Sequence, residues 1–100
     1  MLHIGLLGAG RIAAVMAQTI RKMNKNGNHD LCLYAVAARD LQRARDFAGE
    51  QDVEKAYGSY EEMLADPTVD LVYIATPHSH HYDHAMLCLS HGKHVLCEKA

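Results

Sequence analysis

The stretch from Leu2 to Ala13 constrains this chain more than any other. Leu2 to Leu7 is an apolar run broken only by His3 and Gly5, and Gly8-Ala9-Gly10 follows at once. An apolar run without polar alternation reads as a strand covered on both faces, and the closely spaced glycines read as a tight turn. From Arg11 the period changes. Ile12, Met16, Ile20 and Met23 recur at helical spacing, with Arg21, Lys22 and Lys25 towards the carboxyl end, where cations suit the helix dipole. Asn24 to Asp30 supplies the break. A strand that turns through glycines directly into a helix calls for a parallel neighbour reached by a crossover, which sets aside helix-only and all-β folds.

The rest of the chain repeats the alternation. Leu31 to Ala37 is a second apolar strand, Asp40 stands where a helix cap belongs, and Leu41, Ala44, Phe47 and Ala48 form the next apolar stripe. Lys55 to Tyr57 reads as a very short strand. Ser59 and Glu62 have the form of a capping box on a short helix that Asp66-Pro67 closes. Val69 to Ala75 is a strand ended by Thr76-Pro77. A helix from about Ser79 to His91 is expected to bury Tyr82, Ala85, Met86 and Leu89, with Gly92 as its stop, and His94 to Cys97 is the last strand. Five strands alternating with four helices predict an α/β, doubly wound parallel sheet of the Rossmann type in the order 3-2-1-4-5.

One hundred residues suit one domain, 1–100. A hydrophobic share of 49% is too high for a disordered chain, and a net charge of -2 removes the main reason to expect nucleic acid or an anionic membrane as partner. No apolar run approaches membrane-spanning length, and no basic segment precedes an apolar one as in a secretory leader. Cys32, Cys88 and Cys97, an odd number, do not form a disulfide framework, so a reducing, cytoplasmic setting is expected.

Three places carry chemistry. Gly8 to Ala13 fits the G-x-G-x-x-G/A pattern between strand and helix: Gly8 permits the tight turn, Gly10 lets a dinucleotide pyrophosphate approach, Ala13 is small enough for the helix to pack on the sheet, and Arg11 and Ile12 are further coenzyme candidates; the bland alternative is a plain strand-to-helix turn. At the end of the second strand, Ala38 stands where an NAD enzyme commonly has an acid. Arg39 follows as the natural partner of a 2′-phosphate, or else is a solvated loop cation. Asp40 is read as the helix cap, although pointing inward it would bind a ribose instead. Thr76, Pro77 and a histidine-rich stretch, from which His78 or His81 is a pocket candidate, follow the fourth strand. His80 and His84 have the i, i+4 spacing of a zinc pair, but a third ligand from a strand is missing and Asp83 is the one nearby carboxylate, so no metal is expected. Glu98-Lys99 ends the last strand at the edge where open α/β sheets bind ligands, and Lys99 there could give a proton or hydrogen bond to a substrate oxygen; the plain alternative is a charged residue meeting solvent.

The segments GLLGAGRIA, AVAARDLQRARDFA and YIATPHSHHYDHAMLCLSHGKHVLCEK together resemble the nucleotide-binding half of the glucose–fructose oxidoreductase and inositol dehydrogenase (Gfo/Idh/MocA) family, on the side of its dihydrodiol dehydrogenase-like branch. The resemblance covers essentially the whole chain. It implies NADP(H) more than NAD(H), with Gly8, Gly10 and Ala13 on the pyrophosphate and Arg39 on the ribose phosphate. It further implies Thr76, Pro77 and His78 near the nicotinamide, and Lys99 of a Glu98-Lys99 pair on the substrate. Two departures stand out: Ala100 replaces the family's usual proline after Glu-Lys, and His78 replaces a frequent Asn. The implied activity is hydride transfer to or from a carbinol carbon of a sugar, polyol or cyclic diol, in a protein carrying a second, substrate-binding domain that this chain does not include. Such a fragment would be inactive alone and, with its last strand an open edge, prone to self-association, so a homo-oligomer is expected. The competing readings are a non-catalytic dinucleotide sensor and a doubly wound methyltransferase, the latter having no use for Glu98-Lys99.

Overall fold

The computed structural model describes residues 2–25, 31–76 and 81–97. Strand β1 (Leu2–Leu7) leads into helix α1 (Arg11–Lys25), β2 (Leu31–Ala37) into α2 (Leu41–Gln51), β3 (Lys55–Tyr57) into α3 (Tyr60–Leu64), and β4 (Leu71–Ile74) into α4 (His81–Ser90); β5 (His94–Cys97) closes the series. All pairings are parallel and the order is β3-β2-β1-β4-β5, as the sequence predicts. β4 is shorter than expected: Val69 is buried just before it and Ala75 lies just beyond it.

The sheet is covered on both faces. Ile4, Leu6 and Val36 meet Ala13, Ala17 and Ile20 of α1 and Ala44 and Phe47 of α2 on one face. Leu7, Ala35, Ala37, Val72 and Ile74 meet Met63 and Leu64 of α3 and Cys88 of α4 on the other. Gly5 belongs to this second face because a Cβ there would lie 2.9 Å from the Met63 sulfur and 3.1 Å from Val69 Cγ1. Between β1 and β2 the register slips once: Ile4 faces Leu33, but Gly5 faces Ala35, leaving Tyr34 as an extra residue in β2. Tyr34 and Ala35 consequently point to the same face.

The caps follow the sequence reading. The Asp40 carboxylate accepts the Gln42 N–H at 3.0 Å, and the Ser59 hydroxyl accepts the Glu62 N–H at 3.2 Å while donating to the Glu62 carboxylate at 3.1 Å. Gly92 follows α4 at φ 74. The helix stripes require correction. In α1, Ile20 of the expected stripe is buried and Met16 packs against the core, but the other inward residues are Ala13 and Ala17, whereas Ile12 and Met23 are exposed. Small alanines let the helix lie close to the sheet beside its glycine turn. In α2, Leu41 is exposed, and Gln51, bonded to Arg21 at 3.0 Å, is buried. In α4, Tyr82, Met86 and Leu89 face outward at 76%, 51% and 56% exposure, while His84 and Cys88 face the sheet. By hydropathy alone the larger apolar stripe wins; a hydrogen bond to Thr76 satisfies the histidine and lets the other face turn inward.

Away from the glycine turn, Asp66 ties the α3–β4 connection together. Its Oδ2 accepts from the hydroxyls of Tyr57 at 2.6 Å and Tyr34 at 3.0 Å, and its Oδ1 from the Thr68 N–H at 2.9 Å. Lys93 Nζ donates to the backbone oxygens of Asp66 and Val69 at 2.8 and 2.7 Å. Burial would push the Asp66 carboxyl up, but the donors from Tyr57, Thr68 and Tyr34 together hold it below its ordinary range. The same bond to Asp66, aided by burial, pushes Tyr57 up to about 12. Because Asp66 is depressed in the folded state, the stability it contributes is present above its ordinary pKa and is lost as pH falls through the lower folded value. Tyr57, being raised, contributes stability below its ordinary 10.0 that is lost as pH rises through about 12. Tyr57→Phe should therefore cost about 1 kcal/mol near neutral pH. It should also flatten the loss of stability below about pH 4, measured by urea unfolding across pH; an unaltered pH profile would show that Asp66 is not held by this hydroxyl.

Candidate functional site

At the carboxyl edge the strand ends are tied to one another. Gly8 N–H donates to the Ala37 oxygen at 2.8 Å, Ala75 N–H to the Leu7 oxygen at 2.9 Å, and Ala38 N–H to the Tyr57 oxygen at 3.1 Å. Gly8 holds φ 107, and a Cβ on it would lie 3.1 Å from the Thr76 methyl and 3.2 Å from the Ala75 carbonyl. Both the backbone angle and the space require glycine. Gly10 is different. Its oxygen accepts the Ala14 N–H at 3.1 Å, opening α1, and a Cβ on it would meet only the Arg43 guanidinium, at 3.9 Å.

Over this turn lies a cleft of about 550 Å³. Its floor is Gly8 to Ile12, one side is Ala38 to Asp40 with Arg43, and the other is Ala75, Thr76 and His84, with Tyr60 at the junction. Arg11, Arg39 and Arg43 bring three positive charges to a chain whose net charge is -2. Among the described residues none of the three pairs with a carboxylate, and the one acid on the wall, Asp40, turns its Oδ1 to the α2 backbone. The first turn of α1 carries no acidic residue, which leaves the positive end of that helix uncompensated.

The far wall is built from Thr76 and His84, 6% and 8% exposed, joined Oγ1 to Nδ1 at 2.7 Å. The Tyr60 ring meets the imidazole edge-to-face at 5.0 Å. A second recess, about 360 Å³, continues from the first and shares Arg39, Tyr60 and His84 with it.

The structure thus brings together Gly8, Gly10, Arg11, Ile12, Ala38, Arg39 and Thr76 of the candidates read from sequence. Ala13 is not on the cleft; it is fully buried beneath the turn, where it packs helix on sheet. Pro77, His78, Glu98 and Lys99 lie outside the described residues, as does the side chain of His81. Arg43 and Tyr60 were not singled out from sequence, and His84 was weighed only as half of a metal pair with His80. Arg43 had a signal, four residues after Arg39; a place for His84 on the cleft had none, since its apolar neighbours pointed to the opposite face. Among the described residues no three His, Cys, Asp or Glu side chains form a metal cluster.

The donor set fits a nicotinamide dinucleotide: a glycine that cannot carry a side chain, a second whose open side faces the cleft, a bare helix start and three guanidinium groups. Comparison with known proteins agrees. Residues 2–99 match the profile of an oxidoreductase family with an NAD-binding Rossmann fold. The trans-1,2-dihydrobenzene-1,2-diol dehydrogenases of Sus scrofa and Homo sapiens are 45% and 44% identical over 98% of this chain, which spans 28% of their length. An NAD-binding oxidoreductase from Klebsiella pneumoniae superposes with a TM-score of 0.92 at 39% identity, covering 98% of this chain and 27% of that one. Levoglucosan dehydrogenase in complex with NADH superposes at 0.89 with 25% identity and the same coverage.

The two glycines should separate in experiment. Gly8→Ala should cost about 1–3 kcal/mol of unfolding free energy through its backbone angle and the Thr76 contact. Gly10→Ala should stay within about 0.5 kcal/mol of the parent and yet lower dinucleotide affinity about tenfold or more by blocking close approach to the backbone. Equal destabilisation by both would contradict the geometry.

Proposed function

As the chain belongs to the Gfo/Idh/MocA oxidoreductase family, whose NAD-binding Rossmann domain it forms, we propose that its protein is a dehydrogenase that prefers NADP(H) and acts on a cyclic diol, sugar or polyol. The observation that carries the coenzyme preference is the set of three arginines on the cleft, with the one nearby carboxylate engaged as a helix cap. A pyrophosphate brings two negative charges, and a 2′-phosphate adds close to two more. Arg39, next to Ala38 rather than an acid, is assigned the 2′-phosphate, since a planar guanidinium can bond phosphate oxygens in pairs. Arg43, whose guanidinium lies over Gly10, is assigned the pyrophosphate. Thr76, Pro77, His78 and His81 are assigned to the nicotinamide side of the coenzyme, and Glu98 is assigned to coenzyme binding.

When bound, the nicotinamide supplies the hydride donor or acceptor. Lys99 is assigned the proton: its ammonium gives a proton to the oxygen of a carbonyl being reduced, and its neutral amine takes the proton from a hydroxyl being oxidised. The substrate class rests on relatives named for a dihydrobenzene diol and for levoglucosan, one of them in complex with L-sorbose. The pocket for that substrate is assigned to a further domain of the protein, outside residues 1–100. The reading includes a cytoplasmic homo-oligomer, the compartment on the grounds of cysteine usage; no helix among the described residues is long and apolar enough to cross a membrane.

Charged hydrogen bonds contribute about 1.5–3 kcal/mol each, and screening at an open cleft should hold the preference for NADPH near 1–2 kcal/mol, or about tenfold. Titration of both coenzymes is the test. Arg39→Ala should weaken NADPH about tenfold and leave NADH nearly unaltered, with the gap shrinking as salt rises, while Arg43→Ala should weaken both. Equal affinities in the parent protein would move the assignment to NAD. In turnover assays, Lys99→Ala should lower kcat by about two to four decades.

A further inference from the structure

We infer that His84 is a positioning residue for dinucleotide binding, holding Thr76 in the rotamer that closes the cleft wall against Gly8. The inference rests on the dinucleotide reading above. Threonine carries a methyl and a hydroxyl on one stiff carbon, so a change of χ1 rotamer moves the hydroxyl and methyl to different sides of the side chain. In this structure the methyl faces the glycine turn, 3.1 Å from where a Gly8 Cβ would stand, and the hydroxyl faces His84 Nδ1 at 2.7 Å. The hydrogen bond therefore selects which atom lines the turn. Both residues are nearly fully buried, so water competes little for either partner.

His84 is itself held. It projects from the inward face of α4, where its neighbours are Ala85 and Cys88, and Tyr60 of α3 packs edge-on against the ring at 5.0 Å. A histidine among such residues is costly to bury without a partner, and simple filling of the space would be done better by leucine. The contacts run in series from Tyr60 to His84, to Thr76 and to Gly8, so three elements behind the cleft converge on the one turn that the phosphates must approach.

The test separates hydrogen bonding from bulk. Asparagine branches at the same γ carbon as histidine, so its amide reaches the position of Nδ1. Glutamine places its amide near Nε2 instead, with more volume filled. Coenzyme dissociation constants and melting temperatures would be measured on the full protein for His84→Leu, His84→Asn, His84→Gln and Thr76→Val. Loss of one net hydrogen bond corresponds to about three- to tenfold in affinity. We expect that loss for Leu, Gln and Thr76→Val, an affinity within about twofold of the parent for Asn, and no further loss when His84→Leu is added to Thr76→Val. Glutamine rescuing while asparagine does not, or losses that multiply in the double variant, would overturn the inference. Should the leucine variant fail to fold, the asparagine and glutamine pair still decides. A parent protein that binds no coenzyme would sink the dinucleotide reading itself, whereas a parent that binds and a leucine variant that binds equally well would sink the role of His84 alone.

Discussion

The turn at Gly8 is the constraint on which the rest of the site depends. The chain must leave a buried central strand and enter a helix in the space left between Ala37 on one side and Ala75 and Thr76 on the other. A left-handed backbone angle accomplishes this and aims the N–H of Gly8 at the carbonyl that ends β2. The helix start then opens onto the cleft, and the ends of three further strands are drawn to the same edge. Arginines carried at the end of β2 and on the first turn of α2 thereby converge on a helix terminus that already favours anions.

The α3–β4 connection is organised differently. There a single carboxylate collects two phenols and a backbone amide, and a lysine caps two carbonyls close by. This is polar bonding used for fixation, with donors and acceptors matched. The cleft keeps its cations without carboxylate partners among the described residues, and that contrast in compensation separates a binding surface from scaffold in this molecule.

Much of the architecture was legible because period and punctuation agree. Apolar strands, the Asp40 and Ser59 caps and Gly92 each mark a boundary by local chemistry, and right-handed crossovers leave one strand order. The alanines on the inward face of α1 and the histidine on that of α4 were not legible, for a common reason. Helix-stripe reasoning ranks faces by bulk apolar content, whereas the sheet accepted alanines in α1 and a histidine in α4 because one allows close approach and the other finds a threonine. His84 was visible as a residue but not as a wall of the site, since its partner lies eight positions away across a change of element. Arg43 was closer to legible, being four residues from Arg39, but only the fold shows that its guanidinium reaches back to Gly10.

The extra residue at Tyr34 has a consequence for how lengths are matched across the sheet. Before it, Leu33 packs on the α1 side; after it, Ala35 faces α3, Val36 faces α1 and Ala37 faces α3 again. Without the slip, every residue from Ala35 onward would stand one step, about 3.3 Å, out of phase and on the opposite face. The carbonyl of Ala37 would miss Gly8, and Ala38 and Arg39 would exchange sides at the mouth of the cleft. The slip thus works as a spacer in a gear train, setting the phase between two strands so that the teeth at their far ends mesh. A change in strand length on either side of it is, for the coenzyme edge, a change in timing rather than in composition.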